Sequence, residues 1–154
     1  MEDLYHVVNA LTPVANAFAA TVSTAPINMK NWEHCSFIIS CGAGAVGTAT
    51  ITVEACSDTT PTATVAIPFY YQECVSGDTF GAIIKTPDAA GFATAAAANK
   101  IYKVEVDDQM LAGTGYGYVR VKSVEVVAGA IAGGIVAVLT EGRFESEIMS
   151  SAIV

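Results

Sequence analysis

A repeated period of two limits what this chain can fold into more than any other feature. In Gly117-Tyr-Val-Arg-Val-Lys-Ser-Val-Glu-Val-Val127, Val119 and Val121 fall on one side of a pleat, and Tyr118, Arg120 and Lys122 on the other. That is the pattern of a half-buried strand, and valine fits a pleated surface better than a helix. Val124 and Val126 then take the face of Arg120 and Lys122, so a bulge or strand end is expected near Ser123. Ile101-Tyr-Lys-Val-Glu-Val-Asp107 alternates in the same way, with Tyr102, Val104 and Val106 together. The short, glycine-rich Met110–Tyr116 separates the two runs, and the pair is expected to form the antiparallel centre of a β domain.

Other segments repeat the signal. Trp32–Cys41 sets Cys35, Phe37, Ile39 and Cys41 against His34, Ser36, Ile38 and Ser40. Thr48–Cys56 sets Ile51 and Val53 against Thr50, Thr52 and Glu54. With the Gly42–Gly47 loop between them, these two read as a hairpin. The loop lacks the lysine and hydroxyl residue of a phosphate-binding loop, and no helical pattern follows it. Ala66–Val75 reads as a strand that Pro68 confines to an edge or a strand start. Pro87–Asn99 reads as a long loop. Ala128–Gly134 is expected to turn into a buried strand, Ile135–Thr140. The Gly129-x-x-x-Gly133 spacing lies in an apolar run of about fifteen residues, short of a spanning helix. Residues 1–30 read as an N-terminal arm and first strand; within them Ala15–Val22 is balanced between helix and strand and is read as strand. Residues 143–154 read as a C-terminal tail with an apolar end.

Composition fixes the class. A length of 154 residues suits one domain, residues 1–154, with a substantial core. Hydrophobic residues make up 53% and charged residues only 14%, which argues against disorder and fits either an assembling protein or a monomer with a threonine-rich surface. The net charge is −8, and Lys30 is the sole basic residue before Lys85, so no basic patch exists to neutralise phosphates. Neither direct nucleic-acid binding nor a membrane partner is expected. Cys35, Cys41, Cys56 and Cys74 contain no C-x-x-C pair, and Cys35 and Cys41 would sit roughly 20 Å apart on a straight strand. The acidic Met-Glu-Asp start carries no apolar signal region, so free thiols in a reducing compartment are expected, with a zinc site as the sharper alternative.

The chemical inventory is thin. His6 and His34 read as ordinary surface or interface residues, and Asp107-Asp108 as a solvated turn with too few oxygens for a cation cage. No hydrolase, zinc-protease or dinucleotide motif occurs, so no catalytic, cofactor-binding or metal residue is nominated, and no enzyme activity is expected. Phe69, Tyr70 and Tyr71 read as core and interface aromatics. With Trp32, Tyr70 and Tyr71 also suggest an alternative, a carbohydrate-binding β-sandwich module stacking on sugar rings.

Several segments together resemble a family of small tailed-bacteriophage virion proteins: Ile27-Asn-Met-Lys-Asn31, Gly47–Asp58, Ala66-Ile-Pro-Phe-Tyr-Tyr71, Ile101–Asp107, Gly115–Lys122 and the terminal Ser-Ala-Ile-Val154. The chain looks like a capsid decoration, or cement, protein. The resemblance implies an antiparallel β-sandwich of jelly-roll type with extended N- and C-terminal arms and no active site. It implies a homotrimer, made in the host cytoplasm, that binds the major capsid protein on the outside of the virion. A tail-tube, head–tail joining or fibre component of the same particle is the alternative nearest to it.

Overall fold

The computed structural model describes residues 5–44, 46–87, 90–96 and 99–143. In chain order the elements are β1 (Tyr5–Val14), β2 (Thr21–Ser23), β3 (Ile27–Asn28), β4 (Trp32–Gly44), β5 (Thr48–Cys56), β6 (Thr64–Ile67) and β7 (Phe69–Ser76). There follow β8 (Thr79–Phe80), β9 (Ile84–Thr86), β10 (Phe92–Ala93), β11 (Lys100–Asp107), a single helical turn α1 (Asp108–Leu111), β12 (Tyr118–Val127) and β13 (Ile131–Gly142).

These strands form two antiparallel sheets packed face to face. A seven-stranded sheet runs β1-β13-β4-β11-β7-β8, with β9 also on β7. A six-stranded sheet runs β10-β5-β12-β2, with β3 on β12 and β6 on β5. The pairings nest. First pairs with last (β1 with β13), then β2 and β3 with β12, then β4 with β11, and β5 with β6 is the innermost pair. A ribbon wound in this way across two sheets is a jelly roll, so the expected all-β sandwich is the observed fold. β7, β8 and β9 are an addition at the far edge of the larger sheet.

The core lies between the inward faces that alternation marks out. β4 contributes Cys35, Phe37 and Ile39, and β11 contributes Tyr102, Val104 and Val106. They meet Ile51 and Val53 of β5 and Val119 and Val121 of β12 from the opposite sheet, with Ile135, Ala137 and Leu139 of β13 beside β4.

Faces are as expected, but several neighbours are not. β11 and β12 do not pair: each is an interior strand of a different sheet, β11 between β4 and β7, β12 between β5 and β2. Nor do β4 and β5 form a hairpin, since the glycine loop carries the chain from one sheet to the other. The link from β12 to β13 crosses alongside it, and the two touch at glycines. A Cβ on Gly47 would overlap the Gly129 carbonyl, and one on Gly129 would lie 2.8 Å from the Gly47 nitrogen. The Gly129-x-x-x-Gly133 spacing therefore serves a crossover and a strand, and no helix among the described residues is long and apolar enough to cross a membrane. β13 begins at Ile131, earlier than expected. Pro68 splits the expected 66–75 strand into β6 and β7, which belong to different sheets. Ser123 continues the inward row of β12 as a buried residue, and the register shift comes later, between Glu125 and Val127. Val124 and Val126 are simply exposed on the outer face.

Tyr5–Val14 of the expected arm is an edge strand of the chain's own sheet, and Ala15–Ala20 is a turn, with strand only from Thr21. Residues 144–154 of the expected tail lie outside the described residues.

Candidate functional site

Alternation leaves two outer faces, and any function must be read from them or from the loops. On the larger sheet, β4, β11 and β13 bring His34 opposite both Asp107 and Thr140, and Ser36 opposite Glu105. Glu105 is the hub. Its Oε2 accepts from Ser36 Oγ at 2.5 Å and lies 2.9 Å from His34 Nε2, while its Oε1 lies 2.7 Å from Lys103 Nζ. His34 also lies 3.7 Å from Asp107 Oδ1, and its Nδ1 is 3.1 Å from Thr140 Oγ1. Burial alone would raise the Glu105 carboxyl; the hydrogen bonds from His34, Lys103 and Ser36 outweigh it and bring it down to about 2. The hydrogen bond to Glu105 raises the His34 imidazole above its ordinary value, against a smaller opposing effect of burial.

Serine, carboxylate and histidine thus meet, but not in the order that activates a nucleophile. The Ser36 proton goes to Glu105 and not to the imidazole, and a carboxylate held near 2 is a weak base. The cluster is an ion-pair network on a sheet surface. Its signature in stability follows from the shifts. Because His34 is raised on folding, its contribution is complete below the unfolded value near 6.5 and is lost as pH rises through the folded value. Relative to His34→Gln, the native protein is expected to gain about 1 kcal/mol at pH 5.5 that shrinks by pH 9, measured by urea denaturation across that range.

The smaller sheet carries a second network. Glu54, 6% exposed, lies opposite Arg120. Arg120 donates from Nε and Nη2 to its Oε2 at 2.9 and 2.7 Å, and Lys122 Nζ donates to Oε1 at 3.1 Å. Burial pushes the carboxyl up, but these two cations prevail and hold it below the ordinary range.

The aromatic residues separate. Trp32 is buried with its ring 6.0 Å from that of His6. Tyr71 turns inward and stacks on Phe92 at 4.1 Å, whereas Tyr70 lies on the outer face with Lys85 Nζ over its ring at 5.6 Å. The three side chains suggested for sugar stacking therefore share no exposed platform. Asp107 lies 3.7 Å from the His34 imidazole, and Asp108 pairs with Arg143. Among the described residues, no three His, Cys, Asp or Glu side chains converge as a metal cluster would require. Two open clefts, of about 520 and 540 Å³, flank the α1 turn; Asp108, Leu111 and Tyr116 line one, and Tyr70, Lys85 and Met110 the other.

All four cysteines are free. Burial pushes Cys41 and Cys56 up to about 11 and Cys35 further still. Cys74, half-buried near the β7–β8 turn, is expected to be the one thiol a maleimide labels in the native protein. The other three should label only after denaturation, as counted by intact mass.

What alternation does not explain is the apolar character of outward positions. Tyr5 is 59% exposed and Val7 55%, and Val136 and Ile101 are also exposed on the larger sheet. Val75, Phe80, Ile83 and Ile84 are exposed on the β7–β9 addition. The signal was present in the sequence as valine and isoleucine on both sides of the pleat, but it does not tell a surface from a second core. No family model matches the chain, and no curated protein is significantly similar to it.

Proposed function

We propose that this chain is a structural virion protein that binds the outside of a tailed-phage capsid and stabilises contacts between major capsid subunits. The observation that carries this reading is the exposed apolar surface of a two-sheet sandwich, in groups at both edges of the larger sheet. Apolar groups of this kind on polar surroundings mark contact surfaces. Two edges that each meet a neighbour suit a clamp across a joint. Both polar clusters are internally paired and leave no acid, base or nucleophile unoccupied for turnover. The net charge of −8 suits an outer surface better than one against packaged DNA. Symmetric copies, three in a trimer, multiply weak contacts by avidity.

The test is co-sedimentation with expanded heads that lack the protein. Saturable binding and a shell more resistant to heat are expected. A chain that ignores heads but assembles into tails or the head–tail joint would instead be a tail-tube, joining or fibre component, and one that binds neither would overturn the proposal.

A further inference from the structure

β1 ends the larger sheet, and over its first half this edge lacks the usual protection. Natural edge strands are blunted by charges, prolines or bulges. In β1 the irregularities come late, with register shifts between Asn9 and Leu11 and between Leu11 and Val14, and Pro13 lies in the same half. At Ala10 the backbone is already engaged, since its carbonyl accepts from the Ala25 nitrogen at 3.3 Å. Tyr5 to Asn9 are different. They keep strict register with Thr140 to Val136 of β13, their other edge is unpaired among the described residues, and they carry no Asp, Glu, Lys or Arg. Ile131 to Thr140 of β13 carry none either, so this two-strand ribbon is free of formal charge in a chain of net charge −8. Two copies can bring Tyr5–Asn9 and Ile131–Thr140 together without opposing any carboxylate of these segments.

We infer that β1 pairs with β1 of a second copy of this chain, antiparallel and centred on Val7, to make one continuous sheet across a two-fold axis. The register follows from the regular segment. Its midpoint is Val7, so Val7 meets Val7 of the partner subunit, and Tyr5 meets Asn9 of the partner subunit. Directly opposed residues share a face, so the outer surface gains an unbroken apolar row: Val138 and Val7, then the same pair in reverse order. Val136 opposite Ile38 extends the apolar surface on each side. A closed two-fold contact of this kind uses up the edge and does not propagate. The inference concerns how copies pair, wherever the protein acts. A trimer built through other surfaces would be joined to a second trimer by it.

Two variants test it, both in a Cys74→Ser background that removes the accessible native thiol. Val7→Cys places two sulfurs across the axis at the separation of a directly opposed pair, within disulfide range. Mild oxidation is expected to give mostly covalent dimer on a non-reducing gel, at least about tenfold more than Thr12→Cys, an exposed position beyond the bulge. Val7→Lys, at a 55% exposed site, should keep its melting temperature and halve the mass seen by light scattering at about 100 µM, where a contact with Kd near 10 µM is mostly formed. The inference is overturned by a monomer at that concentration, by an odd number of subunits, by a mass that Val7→Lys leaves unchanged, or by equal crosslinking at positions 7 and 12. Any of these, with head binding intact, would remove the pairing and leave the virion reading standing.

Discussion

Phe92→Ala is expected to destabilise the protein by about 3–5 kcal/mol, among the largest losses of any single truncation. Phe92 sits on a two-residue strand within an alanine- and glycine-rich connection, where little else can hold the segment down. Its ring stacks on Tyr71 at 4.1 Å and 7° and meets Phe69 and Tyr102 at 6.2 and 5.1 Å. Offset and edge contacts of this kind add to the area they bury. The ring also anchors the segment that runs along the β5 edge of the smaller sheet: Thr94 exchanges hydrogen bonds with Ala49, and the Ala95 nitrogen donates to the Tyr102 hydroxyl at 2.7 Å. Losing the ring empties a volume that three rigid aromatics cannot collapse to fill. Tyr70→Ala, on the outer face of β7 in the opposite sheet, is the control and should cost about 1 kcal/mol or less. Chemical denaturation of the two variants side by side measures the difference, and near-equal losses would contradict it.

Gly133→Val is the second large effect. A Cβ at Gly133 would overlap the Ser40 carbonyl and lie 2.7 Å from Phe18 Cε2. The obstacle is the backbone of β4, which pairs with β13 along most of its length, so it cannot yield without breaking the ladder. A loss of about 3 kcal/mol or more is expected, as for severe overpacking. Gly113→Ala is the informative contrast. Gly113 has φ of 89° and open space around it, so it should lose only about 1 kcal/mol, from the positive φ. Ranking the two by thermal unfolding separates a glycine needed for close approach from one needed for its backbone conformation.

These glycines also show how far the sequence can be read. Alternation fixes which way each side chain points, because a strand has only two faces. Cys35, Phe37 and Ile39 had to share one face, and they do. Alternation carries no information about which strand lies alongside. β4 and β5 present compatible faces and a turn-like loop, yet they part into different sheets because nesting the whole ribbon covers both inner faces at once. Gly47 and Gly129 hint at a crossover only when their proximity is known. Phe92 was hidden for a related reason: one aromatic in an alanine-rich run has no period, so only packing shows that it belongs to the core. The ion networks were half visible. His34, Ser36 and Glu105 fall on outward positions, but their meeting depends on the β4–β11 register. The exposed valines of β1 and β13 were visible as residues and not as surface.

Whether neighbouring chains occupy the outward faces of this sandwich is tested most directly by a cryo-electron-microscopy map of the virion carrying it. The expected result is a jelly-roll density on the outer shell, seated over joints between major capsid subunits, with the apolar β7–β9 addition or the β1 edge buried in a contact. Density inside the shell, or an external subunit whose apolar groups all face solvent, would contradict it.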